Sequence, residues 1–297
     1  MVAKYLNILE SFPHEVEDMI KESPIAYIPM GSIEWHGPHN VLGVDSLKVI
    51  EICKRSVEIT GGVLFPCVNW GAFSTMNFPF TYHFSKRAFK KMTKNILKQS
   101  YDMGFQIVIL ISGHYPSAQI KQLMKNSRKY SKKFDNYFAL GIPEQKLVPD
   151  LGYFGDHAAH WETSITMALN PSWVSLEKFP EGLNFVERGI RHGVFGKDPR
   201  LHASKELGEK VLDACVERLS NVVLKVKESR SIEPFEEVYT TYSQERKKIF
   251  SLRSLNALFK SQGIKSTREG IEFFKWMLFK KKKANPDYQY PEKYRKS

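Results

Sequence analysis

Cysteine is scarce in this chain, with three residues in 297, and Cys53, Cys67 and Cys215 lie far apart in sequence. A disulfide framework or a cysteine-rich zinc site would need cysteines at paired spacings, so the pattern argues against both. Scattered cysteines of this kind suit a reducing compartment. We therefore expect a cytoplasmic protein.

Long hydrophobic runs are also missing. The longest purely aliphatic run covers residues 107–111, whereas a membrane-spanning helix needs about 20 apolar residues. The first ten residues lack the apolar stretch and the small-residue cleavage site of a secretory signal. Neither a membrane-spanning helix nor secretion is expected.

Acidic residues are fewer than basic ones, 32 against 44, which gives a net charge of +12. Such an excess could attract nucleic acid or anionic lipid. However, residues 231–297 alone hold 15 Lys or Arg against 8 Asp or Glu, or +7 of the total. The first 230 residues carry the remaining +5, so nucleic acid is not an expected partner of that part.

Residues 30–46 hold a dense group of potential metal ligands, namely Glu34, His36, His39 and Asp45. Three glycines and a proline interrupt the segment, so its backbone can turn tightly and bring these side chains together. Glu34 and His36 are two residues apart and would project from the same side of an extended backbone. The segment predicts a metal site. The alternative is a polar surface loop with solvated charges.

A second candidate ligand follows the clearest buried strand, residues 105–111, which leads directly to Gly113 and His114. An uninterrupted apolar strand between two helices is typical of a parallel sheet covered on both faces. Ligands of such sheets bind beyond the carboxyl ends of the strands. We expect His114 at the same sheet edge as residues 30–46. The alternative is a structural histidine.

The third polar cluster covers residues 152–164. Glu162 is expected to open a helix that runs to Leu169, where a carboxylate favours the helix dipole. That role is the alternative to a role as a metal ligand. His157, five residues earlier, is a candidate general acid or base.

Helical spacing of apolar residues predicts helices over residues 12–24, 85–103, 118–132 and 204–227. A further helix is expected from Ser46, which we interpret as its N-cap. Strands are predicted over residues 25–30, 63–68 and 137–142 in addition to 105–111. The alternation of the two kinds of element predicts an α/β protein with a mainly parallel sheet.

Together the clusters offer five candidate metal ligands: Glu34, His36, Asp45, His114 and Glu162. Carboxylates and imidazoles without a thiolate favour Zn²⁺, Mn²⁺ or Fe²⁺. Five ligands suit two ions if one carboxylate bridges them. Two ions about 3.5–4 Å apart can lower the pKa of a shared water towards about 7, and the hydroxide can attack a carbonyl. His157 could then protonate the leaving nitrogen.

Four motifs of the chain resemble those of the creatininase (creatinine amidohydrolase) family. They are the Gly-Ser-x-Glu-x-His-Gly-Pro-His to Asp pattern at residues 31–45, Gly113-His114, the His-Ala-x-x-x-Glu-Thr-Ser pattern at 157–164 and the Gly-Val-x-Gly turn at 193–199. The resemblance covers roughly residues 5–230. It implies a three-layer α/β/α sandwich, a homo-oligomer such as a hexamer, two divalent metal ions per chain and hydrolysis of a non-peptide C–N bond in a small amide.

Carried over by position, the resemblance implies that Glu34, Asp45 and His114 bind one ion. His36, Asp45 and a further carboxylate would bind the other. Creatininase itself has that carboxylate two residues after the histidine of the Gly-His motif, where this chain has Pro116, so Glu162 is the candidate.

Two more positions depart from the family pattern, Ser117 in place of Asn and Phe80 in place of Gly. Phe80 is expected to reshape the pocket. Creatinine itself is therefore not the expected substrate, although the metal chemistry is expected to be retained.

The chain is expected to divide into a metallohydrolase domain, residues 1–230, and a basic, partly helical extension, residues 231–297. Residues 271–279, followed by lysines 280–283, could lie on an anionic membrane surface. The favoured interpretation is that they pack on the protein itself or on a neighbouring subunit. Two functional alternatives stay open, an inactive member that only binds a metal or ligand, and a protein that acts at a membrane or nucleic acid through this extension.

Overall fold

A computed structural model describes residues 4–72, 78–249 and 263–275. In these residues a sheet of five strands forms the centre of the molecule, and each neighbouring pair of strands is parallel. The strand order is β1-β3-β2-β4-β5. The strands are β1 (Tyr5–Asn7), β2 (Ile25–Met30), β3 (Gly62–Leu64), β4 (Ile107–Ser112) and β5 (Phe138–Pro143).

Helices connect the strands and follow the last one. They are α1 (Pro13–Glu22), α2 (Val44–Thr60), α3 (Lys86–Asp102), α4 (Ser117–Ser131), α5 (His160–Leu169), α6 (Phe185–His192), α7 (Pro199–His202), α8 (Lys205–Ser229), α9 (Glu233–Ile249) and α10 (Thr267–Lys275). The helices predicted from Ser85 and from Ser204 begin where expected, because each serine hydroxyl accepts a hydrogen bond from a backbone N–H in the first turn.

Alternating side chains of the strands separate two hydrophobic cores. In β2, Ile25 and Tyr27 enter the core formed with α2, α8 and α9, whereas Ala26 and Ile28 enter the core formed with α1, α3 and α4. Because successive strand residues point to opposite faces, a strand that is apolar throughout must be covered on both sides. The predicted three-layer α/β/α fold is confirmed.

The start of α2 differs from the prediction. The helix begins at Val44 after Gly43, so Ser46 lies inside the first turn and is not the N-cap. Its hydroxyl hydrogen-bonds to the Ser32 carbonyl at 3.4 Å instead. The helix therefore starts early enough to include Asp45 in its first turn, where a carboxylate is favoured by the helix dipole.

The beginning of the C-terminal extension packs on the sandwich. Phe235 and Tyr239 of α9 are buried in the core shared with α2 and α8, and α10 contacts α6. Lysines 280–283 and residues 276–279 of the predicted surface segment lie outside the described residues. Within the described ranges, no helix is both long and apolar enough to cross a membrane.

Candidate metal centre

The structure brings the five candidate ligands and His157 together at the carboxyl ends of β2 and β4. The turn after β2 carries Glu34 and His36, and the turn after β4 carries His114. Asp45 comes from the first turn of α2, and Glu162 from the first turn of α5. All five are buried. Parallel strands place these turns at one edge of the sheet, which is why residues far apart in sequence meet here.

Asp45 lies between two histidines. Its Oδ1 is 3.2 Å from His36 Nε2, and its Oδ2 is 2.9 Å from His114 Nδ1. One oxygen of the carboxylate thus faces each side of the centre. This is the arrangement that a bridging carboxylate requires.

The two sides of the centre each have a second carboxylate. Glu34 Oε2 is 2.7 Å from His114 Nδ1, and Glu162 Oε2 is 3.4 Å from His36 Nε2. The resulting triads, Glu34–Asp45–His114 and His36–Asp45–Glu162, each have ligand atoms within 4.8 Å of one another. Glu162 therefore lies beside His36 and Asp45, where the resemblance called for a carboxylate that Pro116 cannot supply.

Backbone carbonyls fix the orientation of the three imidazoles. His36 Nδ1 lies 3.0 Å from the Glu34 carbonyl, His114 Nε2 lies 3.0 Å from the Ala72 carbonyl, and His157 Nδ1 lies 2.5 Å from the Gly193 carbonyl. A carbonyl only accepts, so these nitrogens carry the N–H. In the neutral rings, the other nitrogen of each histidine then directs its lone pair at the carboxylates.

This donor set fits a divalent metal pair. Lone pairs of imidazole and carboxylate that face each other at about hydrogen-bond distance repel unless a cation or a proton lies between them. His36 Nε2 and His157 Nε2 are buried and make no aligned hydrogen bond within the described part of the chain. Both nitrogens face carboxylates of the centre.

The pKa values of the cluster also indicate that the carboxylates favour a positive charge among them. Burial lowers the pKa of His114, but Glu34 and Asp45 outweigh it and raise that pKa to about 10. Likewise, burial disfavours charged His36, yet Asp45 and Glu162 hold its pKa well above the usual value. Burial alone would raise the pKa of Glu34, but the adjacent His114 and His157 lower it well below the usual value.

His157 is the most accessible member of the cluster, with 19% of its side chain exposed and its Nε2 3.5 Å from Glu34 Oε1. Its backbone pairs with Phe195 in both directions, N–H to carbonyl, at 2.9 and 2.8 Å. The loop at residues 193–199 therefore holds both the main chain and the ring of His157. Its position at the rim suits a proton carrier better than a buried ligand.

His39 takes no part in the centre, although it belongs to the same sequence cluster. Its Nε2 lies 3.0 Å from the Ala158 carbonyl. Burial lowers the pKa of His39 to about 3, so the ring stays neutral. The ring has a structural role between the 30–46 segment and α5.

A buried polar group beside the centre was missed at the sequence level. Lys48 of α2 is fully buried and lies 2.5 Å from Glu162 Oε1 and 3.2 Å from Glu144 Oε1. Tyr115 and Tyr153 hydrogen-bond to Glu144 and to each other. The available signal was helical spacing, because Lys48 follows Asp45 by three residues and lies on the buried face of the helix.

The departures from the family pattern have different structural outcomes. Pro116 is the N-cap of α4, and Ser117 is the first residue of that helix. Phe80 has a positive φ of 55° and a partly exposed ring. A positive φ is the conformation that glycine adopts most easily, so the backbone at this position keeps a glycine-like shape while carrying an aromatic ring.

Comparisons with known proteins agree with this fold. A curated creatinine amidohydrolase from Pseudomonas putida is 23% identical over 231 residues, which cover 67% of this chain and 88% of that protein. A solved structure titled as creatininase with Mn superposes with a TM-score of 0.61 at 22% identity, covering 76% of this chain and 99% of that one. A creatininase mutant titled as a Zn–Zn type gives a TM-score of 0.59, with the same identity and coverage.

The sequence model of the creatininase family, described as creatinine amidohydrolase, matches residues 10–223, well over half of the chain. All the candidate ligands and His157 lie inside that range. The predicted hydrolase class is confirmed with it. The chain belongs to the creatininase family, whose named members are amidohydrolases that act on C–N bonds other than peptide bonds.

Proposed function

We propose that the chain hydrolyses a C–N bond of a small cyclic amide or formamide-type molecule at a centre of two divalent metal ions. Glu34, Asp45 and His114 would hold one ion. His36, Asp45 and Glu162 would hold the other. Zn²⁺, Mn²⁺ and Fe²⁺ suit this oxygen and nitrogen donor set.

The observation that carries the proposal is the sharing of Asp45 between two buried triads. One of its oxygens is 3.2 Å from His36 and the other is 2.9 Å from His114. A structural ion-pair cluster would not require two histidines whose single ring N–H is fixed by a backbone carbonyl. Hydrogen bonds from the far ring nitrogen to a carbonyl orient imidazoles as metal ligands.

When bound, the ions would polarise the amide carbonyl and lower the pKa of water. In hydrolysis, the oxygen of water adds to the carbonyl carbon, the C–N bond breaks, and one proton of the water must reach the leaving nitrogen. His157 would suit this transfer, since its Nδ1–H is held by the Gly193 carbonyl and its Nε2 faces the centre. Nε2 would accept the proton and pass it to the nitrogen.

Glu34 supports the proton carrier. Its Oε1 lies 3.5 Å from His157 Nε2, and its charge is among the effects that raise the pKa of His157 above the usual value against the effects of burial and of His36. A histidine that accepts a proton more readily is a better base towards water.

The substrate is proposed to differ from creatinine. Phe80 carries a ring where the family pattern has glycine, and the next residue, Thr81, accepts a hydrogen bond from the Trp35 N–H between Glu34 and His36. Ser117 replaces asparagine at the first turn of α4. Both changes would alter the size and the hydrogen bonding of a pocket that they lined. We also propose that the chain forms a homo-oligomer, which light scattering of the purified protein would measure.

Hydrolysis across a panel tests the function. The panel should contain creatinine, lactams, formamides and ureido compounds, each assayed with and without a chelator. We expect turnover of at least one compound other than creatinine, lost with the chelator and restored by Mn²⁺ or Zn²⁺.

Two variants sharpen the same test. Glu34→Gln removes a ligand and should abolish turnover, whereas Asp150→Asn alters only a surface pair with Arg218 and should not. A metal-loaded protein that turns over none of the panel would favour the alternative of an inactive, ligand-binding member.

A further inference from the structure

Lys48 is a fully buried lysine that contacts the candidate metal centre. It lies in α2, one helical turn after Asp45, and its Nζ is 3.8 Å from Asp45 Oδ1. Its closest partner is Glu162 Oε1, at 2.5 Å. An ammonium without access to water is costly unless it is paired and hydrogen-bonded, so this position needs an account.

All three donors of the ammonium find partners. Besides Glu162, Lys48 donates to Tyr115 Oη at 2.7 Å and lies 3.2 Å from Glu144 Oε1. Glu144 is itself held by the hydroxyl groups of Tyr115 and Tyr153. Lys48 is thus also held by Tyr115, which follows β4, and by Glu144, which follows β5.

The two oxygens of Glu162 have different partners. Oε1 accepts from Lys48. Oε2 accepts from the Ala158 N–H at 2.8 Å and faces His36 Nε2 at 3.4 Å. These contacts restrict the side-chain torsions of Glu162 and leave Oε2 as the oxygen that faces His36.

The distribution of charge also supports a role of Lys48 in positioning Glu162. Four carboxylates lie in this buried region: Glu34, Asp45, Glu162 and Glu144. Lys48 pairs with the last three. It offsets part of the repulsion that would otherwise drive Glu162 away from Asp45.

We propose that Lys48 is a positioning residue of the metal centre, which holds Oε1 of Glu162 so that Oε2 alone is presented to the ion shared with His36 and Asp45. This inference rests on the proposed two-metal function. It assigns to Lys48 a role in the affinity of one ion and not of the other.

The direction in which metal affinity changes when Lys48 is replaced separates this role from a purely electrostatic one. Removal of a cation near the centre would, by charge alone, tighten the binding of a divalent ion. Loss of a residue that hydrogen-bonds to a metal ligand and orients it weakens metal binding by about 10- to 100-fold. The two accounts therefore predict opposite shifts.

Titration of the chelator-treated full chain with Mn²⁺, with free ion counted by its paramagnetic resonance signal, provides the test. We expect Lys48→Met to bind one ion with native affinity and the other about 10- to 100-fold more weakly. Lys227→Met is the matched control, because Lys227 contacts Ser23 Oγ at 3.2 Å near the amino end of β2. It should leave both ions unchanged.

A double-mutant cycle with Glu162→Gln tests the route of the effect. If Lys48 acts through Glu162, Lys48→Met should cause little further loss in the Glu162→Gln background. Additive losses would overturn the proposal. Should Lys48→Met fail to fold, Lys48→Gln serves instead, and the same ion should be weakened.

The outcomes also separate this inference from the proposed function. A native chain that takes up no Mn²⁺ overturns the function and this inference with it. A native chain and a Lys48→Met variant that both bind two ions equally well, or a variant that binds them more tightly, overturn this inference alone.

Discussion

Asp45 is the residue on which both triads of the candidate metal centre depend. Its two oxygens face His36 and His114, whereas Glu34 and Glu162 each serve one side. Asp45 lies in the first turn of α2. Gly113 lies against its backbone carbonyl, and Gly31 lies against the next residue, Ser46. Substitution of Asp45 should therefore affect the binding of both ions, whereas substitution of Glu34 or Glu162 should affect one.

Asp45→Asn should remove both ions, because the amide has lost the charge and one of the two oxygens that a bridge needs. Glu34→Gln should remove one ion and leave the other. Metal content per chain after dialysis, measured by plasma mass spectrometry, distinguishes these results. If Asp45→Asn retained the native metal content, the bridging role would be wrong.

His39 shows what burial does to a histidine when the effect of burial outweighs those of the Ala158 carbonyl and of Asp198. Burial lowers its pKa from 6.5 to about 3, so the unfolded chain binds a proton at mildly acidic pH and the folded chain does not. Stability from this group is present above pH 6.5 and is lost as the pH falls. Each pH unit below 6.5 should remove about 1.4 kcal/mol.

A comparison of the native chain with His39→Gln isolates this effect, because protonation of the metal ligands affects both proteins. Between pH 8 and pH 5.5, the difference in free energy of unfolding between native chain and variant should shrink by about 1.4 kcal/mol. Denaturant unfolding at the two pH values measures it. A difference that stays constant would show that His39 does not remain neutral in the fold.

At the scale of elements, the centre depends on how closely the turn after β4 approaches α2. A Cβ at Gly113 would lie 1.9 Å from the Asp45 carbonyl oxygen and 2.9 Å from Lys48 Cε. No side chain fits such a gap. The glycine before His114 is therefore explained by packing against the helix that carries Asp45.

Gly113→Ala should push α2 away from His114. We expect a loss of about 1–3 kcal/mol in the free energy of unfolding, as for other overpacked sites, together with weaker metal binding. Gly43→Ala is the control, because a Cβ there meets only Leu47 side-chain atoms at 3.3 Å or more. It should cost less than about 1 kcal/mol. Equal effects of the two substitutions would refute the close-packing account.

The described end of the extension contacts the region that holds His157. Glu269 of α10 is buried and accepts from the Phe185 N–H at the start of α6 and from the Lys265 N–H, both at 2.6 Å. The turn that follows α6 provides the Gly193 carbonyl to which His157 donates. One carboxylate therefore links the extension to the loop at residues 193–199.

Glu269→Ala should leave the buried Phe185 N–H and the partly buried Lys265 N–H without this acceptor and cost about 1–3 kcal/mol. Faster hydrogen exchange at the Phe185 amide should accompany that loss. Glu272→Gln, on the same helix, changes only an exposed pair with Arg268 and should have little effect. Unchanged exchange at Phe185 in Glu269→Ala would show that the extension does not hold α6.

For the whole molecule, the sequence allowed the layers and the candidate ligands to be predicted because both depend on local patterns. Apolar runs such as residues 107–111 identify buried strands, and Glu34 with His36 is a dense polar motif. The tertiary partners of single residues were not predictable in this way. Ser46 was misassigned as an N-cap because its burial under Gly31 depends on packing between distant segments.

Lys48 and Glu144 show the same limit more strongly. A lysine in a helix is usually a solvated residue, and only the approach of α5 and the end of β5 makes this one a buried partner of Glu162. The roles of the candidate ligands as metal ligands stay predictions that rest on the shared Asp45 and on the oriented imidazoles.

The most direct test of the central claim is the number of divalent ions that the purified native chain binds. Plasma mass spectrometry with an unfolding scan before and after chelation should find about two ions per chain. It should also find a lower melting temperature without them, since ions that bind only the folded state stabilise it. Less than one ion per chain after incubation with Mn²⁺ or Zn²⁺, with an unchanged melting temperature, would contradict the two-metal centre.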